Sequence, residues 1–447
     1  MKQRSTLRRL SAAAVAAAIA AVALAGCSSA GTPSSTISAD CAPSTGKVDL
    51  TFWNWGTGMD KAVDLWNKKN PDIQVTLKTV PNGNAGTYQN LFNGLKANTA
   101  PDLAPIEYDT VASFRLVNGL KDISSCTGMS DASSKFVDWT WSQVSDGKAV
   151  YGVPQDIGPL GLYYRKDIFD KAGLPAPTTW QEYYDDAVAL KAINPDYEIT
   201  HFSQTDPNWF TGLLWQNGAK LFGTEGDQWK VTIDSDKSKQ VADYWQKMID
   251  EKLVSTDLQG FSEALSKAWD TDKVLTWISA PWGWSTIRDG APDTSGKWAV
   301  APIPQWKEGD TANGNWGGSS TAVLATSKHP YEAAKFALWL NSDPEAVSIL
   351  IKETGIYPAS KAAADDPSLT GGVDFYGGQK IFDVFKTAAT QVNTDFIWGP
   401  TMTDTYRFLA DGIAASLAGN GTLGQALTET QTKTVDSITA QGLSVAK

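Results

Sequence analysis

From Val48 onward the chain alternates between two periodicities. Val48-Asp-Leu-Thr-Phe-Trp-Asn places apolar and polar residues with period two, which predicts a strand that stops at Gly56. Met59, Ala62, Val63 and Trp66 then recur at helical spacing until Asn70-Pro71 breaks the helix. Ile73 to Val80 alternates again. Tyr88, Leu91, Phe92 and Leu95 make a second helical stripe, and Pro101 to Asp109 reads as a strand entering a short helix. Strands alternating with helices predict an α/β fold with a parallel sheet and a ligand at the carboxyl ends of its strands. Those ends carry Asn54-Trp55-Gly56, Asn82-Gly83-Asn84 and Glu107-Tyr108-Asp109, polar or aromatic where a buried strand has no use for them.

The pattern is interrupted between Tyr151 and Asp167. Two extended runs, one ending near Pro154 and one spanning Leu160 to Tyr164, flank a polar stretch with two glycines and a proline. Such a stretch suits a chain leaving one compact unit for another. Helical spacing resumes over 180–192, 208–216, 241–253 and 261–269. The apolar run Val274 to Ile278 ends in the turn-like Ser279-Ala-Pro-Trp-Gly-Trp-Ser. Trp298 to Pro304 reads as a strand and 309–314 as a loop. Helices are predicted over 331–341, from Asp343 to Gly355, over 402–417 and from Gly421 onward, with 363–378 as a loop.

The order Tyr151-Gly-Val-Pro, Leu162-Tyr-Tyr-Arg-Lys-Asp, Ala172-Gly-Leu-Pro and Thr178-Thr-Trp-Gln-Glu resembles the first lobe crossing of family 1 extracellular solute-binding proteins, the ligand receptors of ABC importers. Asn315-Trp-Gly-Gly-Ser-Ser resembles that family's return to the first lobe, and Ile356-Tyr-Pro-Ala-Ser its third crossing. Ser279-Ala-Pro-Trp-Gly-Trp-Ser resembles a stretch of the maltose-binding branch whose first tryptophan stacks on sugar, here Trp282. The resemblance implies a periplasmic-binding-protein-like fold with two α/β lobes, three crossings and a ligand cleft at the hinge. It implies a first lobe of 46–156 and 306–355, a second of 157–305 and 356–447, and closure around the ligand. The implied partners are a carbohydrate and the importer's transmembrane permease subunits, bound by a monomer that performs no catalysis and needs no cofactor.

Composition sharpens this in three places. A chain of 447 residues exceeds one comfortable core. A formal charge of −11 disfavours nucleic acid, whose phosphates it repels. Nineteen tryptophans exceed what core packing needs, and indole faces suit the flat apolar faces of sugar rings. Several such platforms favour an oligosaccharide.

The amino terminus places Lys2, Arg4, Arg8 and Arg9 before an apolar stretch, Ala12 to Ala25, too short for a comfortable membrane span. Leu24-Ala-Gly-Cys27 looks like a bacterial lipobox, so 1–26 reads as a lipoprotein signal peptide and Cys27 as the lipidated residue. The alternative is an ordinary signal peptide with an incidental cysteine. Acyl chains on Cys27 would hold the protein on the outer face of the cell membrane, and the Ser-, Thr- and Pro-rich 28–45 reads as a flexible tether. Cys41 and Cys126 remain, either bridged or as two free thiols.

Candidate ligand residues follow from chemistry and position. Trp55, Trp282, Trp284, Trp209, Trp316, Trp398 and Tyr357 are candidate stacking surfaces, with core or interface packing as the alternative for each. Glu107, Asp109 and Asp156 can accept sugar hydroxyls, although Asp109 also suits a helix N-cap. Asn54, Asn82, Asn84 and Gln204 can donate and accept. Gly317 and Gly318 let backbone approach a ligand, and the fork of Arg407 could bridge neighbouring hydroxyls. Chemistry beyond binding has little support. His201 and His329 are the two histidines, so a His-rich metal cluster is excluded and no nucleophile–base pair stands out. A glycosidase needs only two placed carboxylates, and 49 acids leave that alternative open, as they do a receptor for another solute.

Overall fold

The computed structural model describes residues 41–446 apart from Thr127 and Ala364. The expected signal peptide, the expected lipidation site Cys27 and most of the expected tether lie outside the described residues.

Two separate sheets organise two lobes. The first contains β1 (Val48–Asn54), β2 (Ile73–Thr79), β3 (Leu103–Glu107), β4 (Val153–Pro154) and, from much later in the chain, a strand over Ser319–Val323. The second contains β5 (Gly161–Arg165), β6 (Thr276–Ser279) and β7 (Trp298–Pro302). With Ser319–Val323 as β8, the orders are β2-β1-β3-β8-β4 and β6-β5-β7. The expected parallel pairing holds for β2-β1-β3, where Val48 meets Ile73 and Phe52 meets Leu103. It fails beyond β3. There β8 runs antiparallel to β3, with Ser319 opposite Glu107, and the whole second sheet is antiparallel. The physical reason is the path: β8 enters the first sheet from the ligand end because the chain arrives there from the other lobe.

Each sheet has its own core. Leu50, Phe52, Trp66, Val153, Val323, Phe336 and Leu340 pack in the first lobe. Tyr163, Trp180, Trp245, Trp277, Trp298 and Phe385 pack in the second. Trp66 and Trp245, on amphipathic helices, are fully buried as their helical phase predicts; Trp339 on a third such helix is partly buried against Trp66.

Three extended segments, around Ile157, Trp316 and Tyr357, are hydrogen-bonded into a girdle. Ile157 N–H donates to the Tyr357 carbonyl at 2.9 Å, and Ala359 N–H to that of Gln155 at 2.9 Å. Trp316 N–H donates to the Gly158 carbonyl at 2.8 Å, while the Asn315 side chain accepts from Gly158 N–H at 2.8 Å. The helix after Asp343 is α-helical over Pro344–Ile349 and then widens into a π-turn over Leu350–Thr354 before Gly355 opens the last segment. Short helical pieces over Pro367–Thr370 and Asp374–Tyr376 interrupt the predicted loop over 363–378, and a further helix, Ile381–Ala389, follows it.

Cys41 and Cys126 are joined by a disulfide. Three residues on, Ser44 N–H donates to Glu332 at 2.7 Å, so the chain entering the first lobe is held twice.

Candidate functional site

The site grows from the register of β3 and β8. Because Ser319 pairs with Glu107, the Gly317-Gly318 turn lies beside the carboxyl end of β3, where Tyr108 N–H donates to the Gly318 carbonyl at 3.0 Å. Both glycines hold left-handed backbone, φ +75° and +88°. A methyl on Gly318 would stand 2.9 Å from the Tyr108 ring. One on Gly317 would stand 3.6 Å from Trp282 Nε1 and 3.9 Å from Glu107 Oε1. Gly317 thus marks the point where first-lobe acids meet second-lobe aromatics.

The acids are Glu107, Asp109 and Asp156, all buried. Tyr88 O–H donates to Glu107 Oε2 at 2.9 Å. Tyr406 O–H, from the helix Met402–Leu417 of the second lobe, donates to Asp109 Oδ2 at 2.8 Å, while Asp109 Oδ1 has no hydrogen-bond partner among the described residues. Asp156 Oδ1 accepts from Ser319 N–H at 2.7 Å. Burial pushes all three carboxyl pKa values up. For Glu107 the neighbouring Asp109 charge adds to burial; for Asp109 the Tyr406 bond opposes it; Asp156 reaches about 6 against the Ser319 bonds. A group whose folded pKa is raised contributes stability at low pH that is lost as pH rises through the folded value. In the absence of ligand the melting temperature should therefore fall by roughly 3 °C between about pH 4 and neutrality. Glu107→Gln should flatten that slope in a differential scanning calorimetry series. An unchanged slope in the variant removes the acids as its cause.

Trp277, Trp282 and Trp316, the last from the segment just before β8, form an aromatic corner on the second core. Trp282 and Trp316 meet edge to face at 4.6 Å, and Trp277 closes the corner at 5.6 Å from Trp282. Trp282 is half-buried and sits at the N-cap of the helix Gly283–Gly290, so the turn-like sequence around it begins a helix. Asp206, before the helix Pro207–Gln216, is buried, and burial alone raises its carboxyl to about 7.

Other predicted residues fall elsewhere. Trp209 is in the core, its Nε1–H donating to the Ile278 carbonyl at 2.9 Å. Trp284 is buried against Phe382 under Arg288, and Trp398 packs on Trp215 and Phe396. Arg407 is exposed and paired with Asp404, because Met402, Tyr406, Leu409 and Ile413 form the inward stripe of that helix. Asn54 is buried and accepts from Gly56 N–H at 2.6 Å, holding its turn; Asn82 caps a short turn by accepting from Asn84 N–H; Asn84 and Gln204 are exposed. Trp55 is half-buried and meets Tyr88 edge-on at 6.0 Å, one residue from the acids. Tyr357 lies in the girdle against Phe382. Tyr88, Asp206, Phe261, Trp277 and Tyr406 were not among the predicted residues. The helical phase that turns Arg407 outward points to Tyr406; nothing local in sequence marks the others.

Buried acids at the end of β3 thus meet an aromatic corner at Gly317. The profile of bacterial extracellular solute-binding proteins matches residues 54–347. The chain belongs to that family. An arabinooligosaccharide-binding protein of Halalkalibacterium halodurans is 25% identical over 368 residues, covering 78% of this chain and 80% of that one. A lactose-binding protein of Rhizobium radiobacter is 27% identical over 366 residues, covering 79% and 84%. Among solved structures, an ABC-transporter-associated binding protein of B. animalis subsp. lactis in complex with β-1,6-galactobiose aligns with a TM-score of 0.83 at 28% identity, over 90% of this chain and 100% of that one. This solute-binding protein accordingly has the two-lobed fold. Family members are binding proteins rather than enzymes, and no helix among the described residues is long and apolar enough to cross a membrane.

Proposed function

We propose that this solute-binding protein captures an oligosaccharide between its lobes and delivers it to the transmembrane permease of an ABC importer, without chemical change to the sugar. The carrying observation is the joint at Gly317, where Trp282 Nε1 and Glu107 Oε1 both come within 4 Å of one added methyl. A stacking surface beside carboxylates with spare acceptor capacity is what a neutral, hydroxyl-rich ring requires. The relatives' named ligands, arabinooligosaccharide, lactose and β-1,6-galactobiose, support the class. The first lobe is assigned 46–156 and 306–355, the second 157–305 and 356–447, with Trp316 of the first packing into the second core. Ligand touching both lobes stabilises the closed state by its differential affinity, and the permease reads that state. The protein acts as a monomer held to the outer face of the membrane through Cys27, a reading supported by Leu24-Ala-Gly-Cys27 and by a pneumococcal relative described as a lipoprotein.

Thermal-shift screening of the chain from Ser28 onward tests this. A panel of oligosaccharides, monosaccharides, amino acids and glycerol phosphates should raise the melting temperature by several degrees for one oligosaccharide family, because ligand at about 100 Kd adds about 2.7 kcal/mol to the native state. Chromatography should then return the sugar intact. A response confined to a non-sugar solute overturns the carbohydrate reading, and a hydrolysed sugar overturns the receptor reading.

A further inference from the structure

The two glycines at the centre of the site need outside help to stay in place. Gly317 and Gly318 are consecutive left-handed residues, and glycine loses more conformational freedom on being fixed than any other residue. Their peptide groups are held from two directions. The Gly318 carbonyl accepts from Tyr108 N–H at 3.0 Å, and the next N–H, that of Ser319, donates to Asp156 Oδ1 at 2.7 Å. The Gly317 carbonyl accepts instead from the side-chain N–H of Asn315 at 2.7 Å.

The Asn315 amide is engaged at both ends. Its Oδ1 accepts from Gly158 N–H at 2.8 Å, and Gly158 returns its carbonyl to Trp316 N–H at 2.8 Å. Packing leaves little slack there. A methyl on Gly158 would stand 1.9 Å from the Trp316 carbonyl oxygen, and one on Gly212, in the helix Pro207–Gln216, 3.1 Å from the Asn315 carbonyl oxygen. Asn315 is 2% exposed and offers a ligand no surface, so any effect on binding passes through the turn. Two positions earlier, Asn313 gives a matched comparison. It is also 2% exposed, and its amide accepts from Leu160 N–H at 2.9 Å and donates to the Leu160 carbonyl at 3.0 Å. Both asparagines tie the same two segments with the same chemistry. Of the two, Asn315 alone reaches the glycine turn.

We propose that Asn315 is a positioning residue for ligand capture. By holding the Gly317 carbonyl it selects the one conformation of the glycine pair that stands beside Trp282 and Glu107 as described. This rests on the ligand sitting at Gly317, as read above, and not on its being one particular sugar. Without the bond the pair visits the other conformations open to glycine, and apparent affinity falls with the fraction of molecules that hold the competent one. The loss falls on association. A ligand once seated has the same contacts and leaves at the same rate.

Wild type, Asn315→Ala, Asn315→Asp and Asn313→Ala are compared in two ways: stopped-flow fluorescence with β-1,6-galactobiose, lactose and maltotriose, and hydrogen exchange of the ligand-free protein. Asn315→Ala should slow association about tenfold and keep dissociation within about twofold of wild type. Asn313→Ala should lower the melting temperature by a similar amount yet keep both rates within about twofold. Asn315→Asp keeps the acceptor for Gly158 and loses the donor. It should resemble the alanine variant at about pH 8 and recover, relative to wild type at the same pH, as acid returns a proton that can be donated. Amide exchange over 317–319 should quicken at least about tenfold in Asn315→Ala and stay near wild type in Asn313→Ala. Equal effects of the two alanine variants on association or exchange, or a loss carried by dissociation, overturns the proposal. A wild type that binds none of these sugars counts against the carbohydrate reading alone, and the exchange comparison still decides the role of Asn315.

Discussion

Trp282→Ala should lower affinity for the sugar by about a hundredfold, on the order of 3 kcal/mol, with the free protein still folded. The indole sits at the N-cap of its helix and keeps part of its face open, so its loss leaves no large buried cavity. What disappears is the floor of the site. Trp316 stands nearly perpendicular to Trp282 at 4.6 Å and is buried, so it cannot present a replacement face without the corner rearranging. Titration calorimetry on the ligand found by screening measures the change. Affinity within twofold of wild type would show that the sugar stacks elsewhere, with Trp55 the next surface to test. Trp284→Ala is the useful contrast: that residue is buried against Phe382, so its loss should reduce stability more than affinity.

The second large effect concerns stability. The Cys41–Cys126 bridge closes a separation of 85 residues. On the chain-entropy account, a loop of that length restrains the unfolded chain by about 4.6 kcal/mol. Cys41→Ser/Cys126→Ser should therefore unfold at clearly lower guanidinium concentration than the oxidised protein, and reductant should move wild type to the same midpoint. Sugar affinity of the folded variant should stay unchanged, because the bridge lies in the first-lobe core and not among the site residues. Coincident unfolding curves for oxidised and reduced protein would exclude a stabilising bridge.

Much of the fold was legible because local rules decide it. The helix predicted over 402–417 is the helix observed, Met402–Leu417, since its apolar stripe is regular and Gly419 follows its end. The strands β1 and β2 follow their alternation closely. Pairing direction was not legible. No residue of Ser319–Val323 announces that its neighbours are β3 and β4, because partners are chosen by the path of the whole chain.

The site divides in the same way. Glu107, Asp109, Asp156, Trp282 and the Gly317-Gly318 turn could be picked out from type and context, and the structure brings them together. Trp209 could not be told from a ligand surface, since an aromatic on a short helix reads the same whether it faces core or cleft. Asp206, two positions from the exposed Gln204, differs from it only in which way the loop turns. Phe261 opens a predicted helix over 261–269, yet the observed helix begins at Glu263, and the left-handed backbone just before it has no signature in sequence.

The position of β8 between β3 and β4 has a consequence for how the molecule comes into being. Ser320 Oγ donates to the Ile106 carbonyl, a partner made 214 residues earlier. While the second lobe is still being synthesised, β3 has β1 on one side and an open edge on the other. Such an edge is a template for pairing with any other extended chain. Closing it demands a contact of high sequence separation, and contacts of that kind form slowly. The first lobe therefore cannot be completed until nearly three quarters of the chain has been made, since β8 begins at Ser319 of 447 residues.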